Sequence, residues 1–145
     1  MLSKCSTLVN SGRSPDLISI LVGVNDTWHE FIHQNGVEPD RYKKIYRLLL
    51  SYTRECLPDV QLVLCEPFVA ECGVGTKAWL AEIQQRQQIV KELAQDFDAY
   101  FVPFQTALDK VIQMGEPEYW LSEGVPPTLV GHQVLAECWI ENVER

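Results

Sequence analysis

An α/β sandwich with parallel strands is predicted by three short apolar runs, by strongly periodic helical stretches between them, and by the lengths of the connections. Leu17 to Val24 (L-I-S-I-L-V-G-V), entered through Ser14-Pro15-Asp16, is almost unbroken in its apolarity and suits a strand buried on both faces. Gln61 to Cys65 and Ala99 to Phe104 are the second and third runs. After Pro39, the residues Tyr42, Ile45, Tyr46, Leu49, Tyr52 and Cys56 recur at three- and four-residue spacing until Pro58, which predicts a helix with one apolar face. Thr76 stands where it would cap a second helix whose Leu80, Ile83, Val90, Leu93 and Phe97 share a face; within it, Gln84 to Gln88 reads as a solvated stretch. A third helix containing Leu108, Val111 and Ile112 ends at Gly115, and a last one runs from Thr128 to Val143. Strands alternating with helices of this length imply parallel pairing through right-handed crossovers.

Three strands with so apolar a first member leave an open hydrophobic edge, which folded proteins cover. The expectation is that N-terminal sheet partners are missing from this chain, so that residues 1–145 form a single incomplete domain, or that a second copy supplies them in a homodimer through the exposed sheet edge.

The 145 residues and 46% apolar content suit one buried core. A formal net charge of -8 argues against nucleic acid, whose binding relies on clustered Lys and Arg. Cys5, Cys56, Cys65, Cys72 and Cys138 are odd in number and scattered without a C-x-x-C pair, which suggests neither a zinc ribbon nor a disulfide framework and points to the cytoplasm. The opening M-L-S-K-C-S-T-L-V-N-S-G-R lacks the apolar run of a signal peptide, and no membrane-spanning stretch follows.

Open α/β sheets bind ligands at the carboxyl ends of their strands. Three segments belong there: Gly23-Val24-Asn25-Asp26, Glu66-Pro67-Phe68, and Y-W-L-S-E-G-V-P-P-T-L-V-G-H before the last helix. S-I-L-V-G-V-N-D-T resembles the block of the SGNH, or GDSL-type, hydrolases in which G-x-N-D ends a central strand. The later segment resembles their last block, D-G-V-H-P-T, and V-L-C-E-P-F fits between. The resemblance covers residues 15 to 143 and implies a flavodoxin-like three-layer α/β/α sandwich that cleaves carboxylic esters through a Ser-His-Asp triad, with no cofactor or metal. Asn25 matches the Asn whose amide donates to the oxyanion, and Gly23 lets the chain turn tightly beside it. Glu123 occupies the triad Asp position and Pro126 the triad His position, while the G-D-S block is absent. A proline ring cannot take a proton from a serine, so the resemblance implies an ester-hydrolase domain with little or no activity in this form. A noncatalytic binding or scaffolding protein on the same fold is the alternative. Its ligand would be a small-molecule or carbohydrate ester, with Trp28, Phe68 and Trp120 as substrate-binding aromatics.

Other signals have duller explanations. Asp26 suits backbone bonding in the loop, Ser122 has no base beside it, and His132 falls about one turn into the last helix, away from a triad position. Tyr119 fits core packing as well as a pocket wall. His29-Glu30-Phe31-Ile32-His33 has zinc-protease spacing, but Pro39 takes the third ligand position, and so soon after a strand the segment is expected to be a cleft loop with little helix to align the two rings.

Overall fold

The structure, a computed structural model, describes residues 14–143; Cys5 and the opening segment examined for a signal peptide lie outside them. Strand β1 (Leu17–Leu21) leads directly into helix α1 (Val24–His33) and then α2 (Pro39–Cys56). Strand β2 (Gln61–Cys65), helix α3 (Lys77–Asp96), strand β3 (Tyr100–Val102) and helix α4 (Phe104–Ile112) follow. A single turn, α5 (Pro117–Trp120), a 3-10 turn (Ser122–Gly124) and α6 (Leu129–Val143) complete the chain.

The strands are parallel in the order β1-β2-β3, with Leu17 beside Gln61 and Val63 beside Tyr100. Alternation along β2 sets the layers. Leu62 and Leu64 pack with Tyr42, Tyr46 and Leu50 of α2 and Val90 and Leu93 of α3, whereas Val63 and Cys65 pack with Leu108 of α4 and Leu135 and Cys138 of α6. This is the α/β/α sandwich expected. Among the described residues no helix is long and apolar enough to cross a membrane.

Four local expectations need correction. β1 is not buried on both faces: among the described residues it is an edge strand, and Ser19 and Leu21 are exposed. Only Tyr42, Tyr46 and Leu50 of α2 are buried, while Ile45, Leu49 and Tyr52 stay 40–52% exposed, because α2 lies over the sheet's rim. Residues 29–33 are helix, not loop. Gly23 takes φ 126°, which lets the strand turn into α1 at once, and the helix lays Trp28 and Phe31 on Trp79 with ring centroids 5.6 and 5.5 Å apart.

The Gln84–Gln88 stretch is not simply solvated either, because Arg86 within it is fully buried. Arg86 donates to the Glu82 carboxylate at 2.6 Å, to the Val37 carbonyl at 2.6 Å and to the Thr27 hydroxyl at 3.4 Å, and its guanidinium lies 5.0 Å from the centre of the Tyr42 ring. Thr27 donates in turn to Glu82. Thr76 does occupy the N-cap of α3, but without a side-chain cap bond.

Candidate functional site

A cavity of about 550 Å³ opens at the carboxyl ends of the strands. Leu21 and Val22 at the end of β1, Phe68 after β2 and Phe104 after β3 line it, together with Val125, Pro126 and Pro127 and with Leu135 and Trp139 of α6. His132 brings the one ionisable side chain to this wall, so the cavity offers an apolar ligand contact surface and few hydrogen-bonding groups.

Gly23 sits beneath the β1 side of the cleft. A side chain there would meet the Tyr42 hydroxyl at 3.1 Å and Arg86 Cδ at 3.5 Å, and that hydroxyl donates to the Val22 carbonyl at 3.0 Å. Close approach as well as positive φ thus requires glycine. Asn25 is exposed in the first turn of α1, next to the cavity-lining Val24. Asp26, one residue on, favours the positive end of that helix.

Across the cleft, the loop 121–128 is held by its backbone. Leu121 and Pro127 form an antiparallel bridge, and the Ser122 amide donates to the Pro126 carbonyl at 2.8 Å. Glu123 and Gly124 both take positive φ, 51° and 84°. Their carbonyls accept from the Val74 amide at 3.2 Å and the Ala70 amide at 2.8 Å, which docks the loop onto residues 68–75. Pro126 therefore reaches the cavity wall while Glu123 is exposed and lines none of it. Ser122 is exposed on the same turn.

Thr128 caps α6 as its position in the sequence suggests. Its hydroxyl accepts from the Gly131 amide at 3.1 Å and donates to the Tyr119 carbonyl at 2.8 Å. Thr128→Ala is expected to lower unfolding free energy by about 1–2 kcal/mol, read from urea denaturation, because it removes both bonds.

The three aromatics expected at a ligand site separate. Phe68 lines the cavity, its ring edge-on to Phe104 with centroids 6.1 Å apart. Trp28 packs on Trp79, and Trp120 meets Tyr119 edge-on at 4.9 Å with its indole N–H buried and unpaired; neither lines the cavity. Trp139 lines it as a further aromatic. The spacing of His132, Leu135, Ala136 and Trp139 on one helix face was the available signal for that wall.

Glu66 and Gln105 tie down the segment that carries Phe68. Glu66, half-buried after β2, accepts from the Gln105 amide at 2.9 Å at the start of α4. Burial raises its carboxyl pKa above the ordinary value, against the opposing pull of the Gln105 and Thr106 amides. A carboxyl shifted this way contributes stability below its unfolded pKa, and the contribution disappears as pH rises through the folded value. Glu66→Gln should therefore raise the urea midpoint relative to the native chain at neutral pH, the difference closing toward about pH 4. Gln105 accepts from the Val69 amide and donates to the Val69 carbonyl, both at 3.0 Å, while Gln87 donates to Gln105 and to the Pro67 carbonyl.

His29 and His33 lie one turn apart on α1, exposed, with ring centroids 5.4 Å apart, so the helix aligns them after all. Glu30, however, accepts from the Gly36 amide at 3.1 Å, and among the described residues no cluster of three or more metal-ligating side chains is formed.

A model of the GDSL-like Lipase/Acylhydrolase family matches residues 8–134. An acetylxylan esterase from Geobacillus stearothermophilus is 27% identical over 135 residues, which are 90% of this chain and 60% of that protein. Among solved structures, a GDSL-like lipase from Parabacteroides merdae superposes with a TM-score of 0.85 at 35% identity, covering 97% of this chain and 65% of that one. A variant acetyl-xylooligosaccharide esterase from G. stearothermophilus gives 0.80 at 25% identity, over 99% of this chain and 66% of that one. The chain thus spans 60–66% of the length of these relatives. The matched span includes both the G-V-N-D turn and the loop carrying Pro126, and with the parallel α/β/α architecture it places this chain in the GDSL-like lipase/acylhydrolase family.

Proposed function

We propose that this chain retains the ligand cleft of an ester hydrolase without serine-triad turnover, and binds an acyl or ester group between Phe68, Pro126 and Trp139. The observation that carries this reading is Pro126 on the cavity wall, at the position the family motif gives to the general base. A pyrrolidine ring accepts no proton, so a serine hydroxyl brought to this cleft would remain a weak nucleophile. The exposed Glu123 retains a carboxylate with no imidazole to orient. Gly23 and Asn25 keep the oxyanion side, and such a donor alone supplies about 3–4 kcal/mol of transition-state stabilisation, too little to replace an activated nucleophile. The relatives' names favour an ester on a small molecule or an acetylated sugar, and the net charge of -8 disfavours nucleic acid.

The test is intact-mass spectrometry of the 145-residue chain after exposure to a fluorophosphonate, together with hydrolysis of p-nitrophenyl acetate. The expected result is no serine adduct and no rate above buffer, both for the native chain and for Pro126→His with Glu123→Asp. An adduct on one serine would show an activated nucleophile and end this reading. Saturable quenching of tryptophan fluorescence by a non-hydrolysable ester analogue, lost in Trp139→Phe, would support the retained cleft.

A further inference from the structure

Helix α1 carries a second arrangement, on the side turned away from the cleft. At about 100° per residue, His29 and His33 stand roughly 140° and 180° around the helix axis from Val24, the residue by which α1 lines the cavity. Both histidines are exposed, with ring centroids 5.4 Å apart and planes tilted by 48°. We propose that these two imidazoles chelate one divalent transition-metal ion of the Ni(II), Cu(II) or Zn(II) type, with water filling its remaining positions, and that the ion acts as a staple across the last turn of α1.

The spacing fits a single ion. A metal–nitrogen bond of ~2.1 Å sets the centre of an imidazole ring about 3.2 Å from the ion, so two rings bound at a tetrahedral angle have centres roughly 5.2 Å apart. The observed 5.4 Å calls for only a small turn of two exposed side chains. Imidazole nitrogen suits these ions, whereas calcium and magnesium take oxygen ligands. The net charge of -8 adds a general attraction for a cation.

The helix beneath the pair is well anchored. Thr27 is buried, Trp28 and Phe31 pack on Trp79, and Gly36 lies so close on the neighbouring flank that a Cβ there would meet the Asp26 carbonyl oxygen at 2.5 Å. At the helix end the Gln34 amide donates to the Glu30 carbonyl at 3.0 Å and the Asn35 amide to the His29 carbonyl at 3.3 Å. Little freedom is therefore lost in aligning the two rings, whereas an unfolded chain does not hold them together. Glu30, which zinc-protease spacing would make the general base, accepts from the Gly36 amide and so serves the turn into α2. The pair is accordingly a binding site, and it is independent of what the cleft does.

Calorimetric titration of the 145-residue chain with nickel chloride is expected to show one ion bound per chain. His29→Asn and His33→Asn should each weaken binding by about tenfold or more, with the circular dichroism spectrum unchanged because both side chains are exposed. His132→Asn removes the remaining histidine of the chain and should leave the affinity native. His29→Gln with Ile32→His keeps the number of histidines but sets two of them side by side, about 100° apart on the helix, and should lose as much affinity as His29→Asn. Saturating nickel should also raise the urea midpoint of the native chain and of His132→Asn, and of no other variant, because only the folded helix holds both rings on the ion. A native chain that binds no nickel would overturn the proposal. So would binding that survives His29→Asn or His33→Asn, which would put the ion on other ligands, or native affinity in the relocated pair, which would show that helical spacing does not hold it.

Discussion

Arg86→Ala should lower unfolding free energy by about 3–5 kcal/mol, the range for removing one member of a buried ion pair. The guanidinium is fully enclosed and binds Glu82, Thr27 and the Val37 carbonyl from three directions, so truncation strands a carboxylate, 16% exposed, and a backbone carbonyl at once. Its absence also removes the cation from the Tyr42 face and leaves a void beside Gly23. Urea denaturation followed by circular dichroism measures the loss. The companion experiment is Arg86→Met with Glu82→Leu. Because Arg86 Nη1 is itself buried without a partner, the pair is incompletely satisfied, and an apolar replacement of both ends should recover most of the stability. A cost below about 1 kcal/mol for Arg86→Ala would mean that water reaches this site and that the enclosure is looser than described.

Gly124→Ala is the second large effect, at about 2–4 kcal/mol. An alanine at φ 84° carries left-handed strain of about 1–2 kcal/mol. Its methyl group would also overlap the Cys72 and Ala70 carbonyl oxygens, which belong to the loop on which this turn is docked. The two loops must then separate, and they carry Phe68 on one side of the cleft and Val125 and Pro126 on the other. Loss of stability should therefore be accompanied by loss of ligand-induced tryptophan quenching. A destabilised variant with unchanged quenching would show that the cleft does not depend on this docking.

The sandwich was legible because periodicity survives wherever a residue's neighbours in sequence also determine its burial. β2, Gln61 to Cys65, fell where its apolar run predicted, since a central strand has both faces covered. β1 looked equally buried by composition, yet its environment depends on which elements flank it, and a run of Leu and Ile carries no mark of an edge. Gln84 to Gln88 misled for the opposite reason: a polar string normally faces water, and only the fold reveals that α1, α2 and α3 converge on its central arginine. Of the residues that motif spacing picked out, Phe68 and Pro126 line the cavity and Gly23 turns the chain from β1 into α1. The motif spacing gave no sign that Trp139 lines the cavity and Trp120 does not, because only the direction of each side chain decides which one reaches the wall.

Gln105 engages both backbone groups of Val69, as a neighbouring strand would, and is joined there by Gln87. The segment beyond β2 is thereby held by a primary amide instead of by more sheet. Neither end of that amide tolerates replacement: a carboxylate loses the donor, and one methylene fewer loses the reach. Because these bonds are made within the chain, the amide serves folding whether or not chemistry occurs above it.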